Sequence, residues 1–407
     1  MLRSLRLQNF KSFADAQADF GPLTLLVGAN ASGKSNVLDA VRLLKGMGVL
    51  HLPLDWALQG TKMEGWPGIR GGVHEAVRAG GNVFTIDSRW QVPSGEAVEH
   101  SLECEVAPRI LVRREQLREA GASQPLFEAR ARTSAEEDKE RAEPEVHLTV
   151  FLGGQPETIA SPNLSARWSA LEGIRRHARV ATPPHELSVQ LQFALLEVGF
   201  LDMVPSSMRR YVPREMQEMG EGGEFLSAVL WRLCQDADVK QGLIDWLAEL
   251  CAPELDDIGF SETDEGEVML RLTEKDGSRV SARSLSDGTL RFLGELVALR
   301  TAPEGSVLMM EELGNGLHPR RMHLLVEYLE TMTQRRNIQV IATTHSPLVL
   351  QALGERSRRD VVVLGRPPGA PGSIMRRLGD LPGFDTIVEQ RGMDYLFTTG
   401  WLEQAAL

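Results

Sequence analysis

The chain has 407 residues, with 44 Lys+Arg against 56 Asp+Glu and a formal net charge of −12. At 42% hydrophobic and 25% charged residues, its composition is that of a globular protein and excludes a disordered, fibrous or membrane class. A uniformly basic nucleic-acid coat is excluded as well, whereas a local basic patch is not, because net charge says nothing about distribution.

In chain order, Leu5, Leu7 and Phe10 predict a first strand, and the alternating start lacks the apolar run of a signal peptide. Leu23–Val27 is a short apolar run of buried-strand length. It leads into Gly28–Ser35, after which Val37, Leu38, Val41 and Leu44 recur at helical spacing. Glycines then break the chain up to about residue 105, and Val83–Trp90 and Ala97–Val106 predict two strands joined through Pro93-Ser94-Gly95. Residues 112–145, rich in Arg, Glu and Ala, predict a solvated helix or a mobile insertion.

From 186 to 251 the pattern is helical: Leu226, Val229, Leu230 and Leu233, then Leu243, Trp246, Leu247 and Leu250. Val268–Leu272 and Arg279–Ala282 flank Lys275-Asp276-Gly277, a hairpin signal. The last third alternates strand and helix through Val307–Met310, a helix from about 319, Ile338–Thr343, a helix from about 347, and Val361–Leu364. That alternation predicts a parallel sheet covered on both faces. Cys104, Cys234 and Cys251 form no CxxC pair, which argues against a disulfide framework or a zinc site. No stretch approaches the roughly 20 apolar residues of a membrane span, so the chain is expected to be soluble and cytoplasmic.

Gly28-Ala29-Asn30-Ala31-Ser32-Gly33-Lys34-Ser35 fits G-x-x-x-x-G-K-[ST] between a strand and a helix. Gly28 and Gly33 let the backbone wrap close enough to aim N–H groups at phosphate oxygens, and the helix N-terminus adds its partial positive charge. Lys34 is expected to reach the β/γ-phosphates of ATP and Ser35 to ligate Mg²⁺, with the nucleotide-binding run extending to Asn36. Such a loop calls for an apolar strand ending in carboxylate, and Val307-Leu-Met-Met-Glu311-Glu312 supplies it. Neighbouring residues on a regular strand face opposite ways, so the two acids cannot share one role. Glu311 is assigned to the magnesium shell and Glu312 to the general base. His345, in Thr343-Thr344-His345-Ser346-Pro347, falls at the carboxyl end of another apolar strand and is read as a γ-phosphate sensor.

Lys34 and Glu311 are separated by well over half the chain, more than compact P-loop kinases or GTPases use. With Leu5-Arg-Leu-Gln-Asn-Phe-Lys-Ser12 and GANASGKSN, this spacing resembles the ATPase heads of the RecF, SMC and OLD-like families of the ABC ATPase class. Ser284-Leu-Ser-Asp-Gly-Thr-Leu-Arg291 resembles the ABC signature in the LSDGT form of the RecF-like "AAA family ATPase" group. Glu311-Glu-Leu-Gly-Asn-Gly-Leu-His-Pro319 resembles that group's EEPENGLHP, and Thr343–Pro347 its switch-histidine motif. Three departures stand out: Glu311 stands where most P-loop ATPases have Asp, although the resembling group commonly shares it, Leu313-Gly314 replaces Pro-Glu, and Gln91 and Gln192 are both candidates for a Q-loop glutamine without a clear pattern around either.

The resemblance implies an α/β fold: an ABC-type P-loop head with a mixed sheet, helices on both faces, an antiparallel β subdomain and a helical insertion. It divides the chain into 1–106, 107–250 and 251–407. It also implies that Ser286, Asp287, Gly288 and Thr289 act in trans on ATP bound by a second copy, in a head-to-tail homodimer or higher oligomer. The stretch after His345 has no acidic pair of the kind a Toprim nuclease domain uses, and 112–145 is too interrupted for a long coiled coil.

The expected protein is thus a stand-alone RecF-like ATPase and dimerisation switch acting on a separate effector protein or on DNA, in antiphage defence or DNA maintenance. The alternative is an ATP-bound scaffold with negligible turnover that holds a toxin or nuclease partner inactive. Small-molecule kinase activity is disfavoured by the signature motif. Arg109-Arg113-Arg114, Arg175-Arg176, Arg209-Arg210, Arg320-Arg321, Arg335-Arg336 and Arg376-Arg377 are the candidate DNA contacts.

Overall fold

Inside–outside alternation builds the first of two large sheets. The computed structural model describes residues 1–62, 65–131, 146–153, 155–159, 165–177, 182–250, 255–319 and 322–406. In it β1 (Leu2–Gln8) buries Leu2, Leu5 and Leu7 and pairs antiparallel with β2 (Asp15–Asp19), where only Ala16 and Ala18 face inward. β3 (Leu23–Val27) is buried on both faces and belongs to the second sheet. β4 (Val83–Gln91) and β5 (Ala97–Glu105) return to the first sheet, and β6 (Leu111–Glu119), β7 (Phe127–Ala131), β8 (Val146–Leu152) and β9 (Gln155–Ile159) extend it. The result is an antiparallel sheet in the order β2-β1-β4-β5-β6-β7-β8-β9.

The expectation of a solvated helix in 112–145 is corrected by β6 and β7; residues 132–145 of that stretch lie outside the described residues. The alternation is masked because an inward position of β6 carries a carboxylate. Glu115 is fully buried, accepts from Ser169 Oγ at 2.8 Å and from the Ala170 N–H, and lies 2.8 Å from His100 Nε2. A buried carboxylate this well supplied with partners is tolerated, yet in the sequence it reads as a surface residue.

The helical pattern of 186–251 corresponds to helices Pro183–Leu196, Leu226–Leu233 and Ala237–Leu250. Between the first two lie β10 (Val198–Leu201) and the short β11 (Val212–Pro213). β11, β12 (Leu255–Glu262), β13 (Glu267–Glu274) and β14 (Arg279–Ser281) make a small antiparallel sheet, with the expected hairpin at Lys275-Asp276-Gly277 joining the last two.

β15 (Val307–Met310), β16 (Gln339–Thr343), β17 (Val362–Gly365) and β18 (Ile374–Arg377) complete the second sheet in the order β10-β15-β16-β3-β17-β18. All its pairings are parallel except β17 with β18. β15, β16 and β17 are wholly buried, as in a sheet covered on both faces. β3, from the start of the chain, sits between β16 and β17, so the N-terminal phosphate loop and the C-terminal motifs share one sheet end. A buried amide ties the two large sheets together: Gln339 accepts the Leu2 N–H at 2.8 Å and donates to Leu2 O at 2.7 Å and Gly21 O at 2.9 Å. Among the described residues no helix is long and apolar enough to cross a membrane. Cys104 and Cys234 are unbridged, and Cys251 lies outside the described residues.

Candidate nucleotide site

The loop after β3 has a backbone that only small residues allow. Gly28 and Gly33 have φ of 146° and 110°. A Cβ on Gly28 would lie 2.0 Å from Leu364 O, and one on Gly33 would lie 2.8 Å from Phe13 Cζ and Ser12 Oγ. The loop ends at Gly33, the N-cap of the helix Lys34–Gly48, and no side chain caps that helix. The Asn36 N–H turns back to Gly33 O at 3.0 Å, and the uncapped helix N-terminus presents its partial positive charge to an anion. Lys34, only 7% exposed, donates from Nζ to Gly28 O at 2.8 Å and Ala29 O at 2.9 Å, and so lies curled over the loop. Ser32 Oγ is buried without a hydrogen-bond partner. Two loop glycines packed too closely for a Cβ, an orphaned hydroxyl and a buried ammonium lying over the loop together fit a bound phosphate. Asn36 donates to Ser12 Oγ at 2.9 Å.

β15 brings Glu311 to this loop. Ser35 Oγ donates to Glu311 Oε2 at 3.4 Å, and Arg70 pairs with the other carboxylate oxygen. Burial pushes the Glu311 carboxyl up; Arg70 pulls it down, while Asp202 and Asp39 push it further up. Arg70 is itself held: its carbonyl accepts from Lys11 Nζ at 2.6 Å, and Lys11 also forms a buried pair with Asp39 Oδ2 at 2.6 Å.

The two acids part company because the strand ends at Met310. Glu312 adopts φ 54°, a left-handed conformation; its N–H donates to Thr343 Oγ1 at 3.0 Å and its Oε2 accepts from Asn315 Nδ2 at 2.6 Å. Leu313 and Gly314, which depart from the resembling motif, have clear tasks here. Leu313 is buried, with its N–H on Thr343 O at 2.8 Å, and Gly314 takes φ 77°. A Cβ on Gly314 would press at 3.0 Å on Met322 Sδ and Val349 Cγ2.

His345 follows β16 and shares the field of this cluster. Its pKa is lowered, first by burial and then by Lys34, with Glu312 acting in the opposite direction. The LSDGT segment opens the helix Asp287–Thr301, and Ser286 caps it by accepting the Thr289 N–H at 3.1 Å. Asp287 pairs with Arg209 at 2.6 Å. Gly288 meets the chain's own loop after Glu312, since a Cβ there would lie 2.1 Å from Gly316 O.

The structure thus brings Ser35 and Glu311 into contact, sets His345 in the field of Lys34 and Glu312, and packs Gly288 against the loop that follows Glu312. Sequence reasoning missed Arg70 and Asp39, and Lys11 stood inside the quoted Leu5–Ser12 motif without a role. Asn315 and Thr343 stood inside the quoted motifs without a role. Gln91 accepts from Arg3 Nε at 3.1 Å, and Gln192 donates to Gly48 O at 2.9 Å, at the far end of the helix that begins with Lys34. That is about 20 Å from the phosphate loop.

The basic clusters are largely engaged within the chain. Arg113, Arg114, Arg175, Arg209 and Arg377 pair with Glu103 and Glu105, Glu128, Glu172, Asp287 and Asp360, and Arg336 donates to Leu299 O and Arg300 O. Arg320-Arg321 lies outside the described residues.

Residues 147–351 match the family described as "AAA domain, putative AbiEii toxin, Type IV TA system", and residues 1–56 match the "AAA ATPase domain". A Helicobacter pylori (strain ATCC 700392 / 26695) protein named "ATP/GTP phosphatase" is 21% identical over 361 residues, which is 87% of this chain and 88% of that protein. The DNA replication and repair protein RecF of Gloeobacter violaceus (strain ATCC 29082 / PCC 7421) is 52% identical over 44 residues, or 11% of this chain and 12% of RecF. Among solved structures, the Smc head bound to the C-winged helix domain of ScpA aligns with a TM-score of 0.54 at 12% identity, covering 93% of this chain and 98% of that one. At that identity the likeness is one of fold.

Proposed function

The chain belongs to the AAA-domain family matched over residues 147–351 and is an ATPase of the RecF/SMC-like ABC class; from that premise we propose that it is a nucleotide-driven dimerisation switch acting on a separate effector. The observation that carries this reading is the 3.4 Å approach of Ser35 Oγ to Glu311 Oε2, which joins the phosphate loop to the acidic strand.

In this reading the N–H groups of residues 28–36 and the Lys34 ammonium hold the phosphates of ATP, and Ser35 with Glu311 holds Mg²⁺. When bound, Mg²⁺ neutralises charge on the phosphate oxygens. Glu312, turned out of the strand line, accepts the proton of the attacking water, and its tie to Asn315 keeps the carboxylate from wandering. His345, with its pKa lowered, stays neutral at physiological pH and offers an N–H to the terminal phosphate. Ser286, Asp287, Gly288 and Thr289 complete the site of a second copy in a head-to-tail pair.

The effector in this reading is a protein, with any DNA contact local, because Arg113, Arg114, Arg175, Arg209 and Arg377, drawn from four of the candidate clusters, are already paired within the chain. A role in antiphage defence or DNA maintenance is part of this proposal, and the toxin–antitoxin description of the matched family and the RecF similarity support it. Phosphate release by wild type and Glu312→Gln tests the chemistry. Turnover in wild type and a loss of about 100-fold in the variant are expected. An unchanged rate in Glu312→Gln removes the general base, and no turnover in wild type favours an ATP-bound scaffold that holds a toxin or nuclease partner silent.

A further inference from the structure

Asp287 stands where an acid is least expected. It opens the helix Asp287–Thr301, next to the Ser286 cap, inside the segment read above as meeting the nucleotide of a second copy. A helix N-terminus carries about half a positive charge, which favours a phosphate. The Asp287 carboxylate turns that into about half a negative charge, which repels one. Its side chain is 67% exposed and so open to whatever approaches the segment.

The carboxylate is matched from within the chain. Arg209 Nη2 donates to Asp287 Oδ1 at 2.6 Å and to Leu285 O at 2.8 Å, so one guanidinium nitrogen brackets the Ser286 cap from both sides. The backbone that carries Arg209 is itself seated on the signature helix. The short helix Pro205–Met208 ends just before it, and Met208 Cε lies 3.1 Å from where a Cβ on Gly294 would be. Two residues on, the Tyr211 ring has the Arg283 guanidinium 5.7 Å from its centre.

We infer that Arg209 is a positioning residue whose charge cancels that of Asp287, so that Ser286–Thr289 can meet the anionic phosphate of a nucleotide held by a second copy. This rests on the role proposed above for the signature segment. An acid in the first turn steadies the helix of the single chain, and Arg209 removes the penalty this carries for the pair. With Arg209 in place the N-terminus regains about half a positive charge, and the bond to Leu285 O keeps the guanidinium beside the cap. Folding alone does not account for the ion pair, because a pair with one member this exposed contributes little to stability. Arg209, read from the sequence as part of a DNA contact, thus has a different task.

The test is made in full-length Glu312→Gln with saturating ATP and Mg²⁺, and reads the chain concentration at half-association by light scattering. Adding Arg209→Ala is expected to raise that concentration about 30-fold, because the phosphate now faces an uncompensated carboxylate. Adding Asp287→Asn to Arg209→Ala is expected to bring it back to within about threefold, since the charge that needed cancelling has gone. ATP affinity of the single chain is expected to stay within about twofold in Arg209→Ala, and melting temperature within about 3 °C.

Pairing of Arg209→Ala at the unsubstituted concentration overturns the inference and leaves the switch reading intact. A double variant as weak as Arg209→Ala also overturns it, because Arg209 would then act through its bond to Leu285 O and not through charge. If Glu312→Gln itself forms no pair with ATP, the switch reading fails and takes the role of Arg209 with it. Should Arg209→Ala not fold, Arg209→Gln, which removes the charge and keeps an amide donor for Leu285 O, takes its place.

Discussion

The Ser35 hydroxyl lies 3.4 Å from a Glu311 carboxylate oxygen across 276 positions of sequence. The meeting is a consequence of sheet order, since only β16 separates β3, which launches the phosphate loop, from β15, which ends at Glu311. The N-terminal and C-terminal thirds of the chain therefore make one composite head.

That contact gives the first prediction. Ser35→Ala removes one oxygen from the proposed magnesium shell and loses only a long hydrogen bond in the folded chain. The Mg²⁺ concentration for half-maximal ATP turnover is expected to rise about tenfold, with stability changed by less than about 1 kcal/mol. An unchanged Mg²⁺ requirement would take Ser35 out of the shell.

Gly288 is expected to tolerate no side chain. A Cβ there would sit 2.1 Å from the Gly316 carbonyl oxygen, and backbone cannot swing aside as a flexible side chain does. Gly288→Ala is predicted to cost about 1–3 kcal/mol in urea unfolding and to lower turnover by shifting the loop that follows Glu312. Unfolding and turnover both at wild-type values would mean that this close approach is not present in solution.

Glu295 predicts a dependence of stability on pH. Its carboxyl lies at about 8 in the folded chain against an ordinary value of 4.5, with burial as the main cause and with Arg291 and the Gly314 N–H opposing it. Between those values the folded chain keeps a proton that the unfolded chain has released. The group's contribution to stability is fully present below about 4.5 and is lost as pH rises to about 8. Wild type should therefore lose stability relative to Glu295→Gln as pH is raised from about 5 to about 9. Parallel stability profiles for the two proteins would contradict a neutral buried carboxyl.

Much of this architecture was legible because burial leaves a simple signature. β15 is an uninterrupted apolar run, β16 carries Val340-Ile341-Ala342 at its centre, and β4 and β5 alternate in burial, so periodicity locates them. β6 was hidden by the inward-facing Glu115, and β2 by an inward face built only of alanines. Arg70 could not be read at all. It sits among glycines, and what aims it at Glu311 is a pair made elsewhere, Lys11 with Asp39, which no local pattern announces. Glu295 was hidden in another way: four residues after Arg291 on the same helix, it reads as half of a solvent-facing ion pair, whereas it is 5% exposed in the fold.

In the proposed switch, ATP joins two copies head to tail and hydrolysis releases them. The most direct measurement is the mass of Glu312→Gln in solution by light scattering, with and without saturating ATP and Mg²⁺. A single chain is expected without nucleotide and a stable pair with it, because the nucleotide that joins the copies is no longer consumed. A Glu312→Gln protein that binds ATP and yet stays a single chain would contradict it.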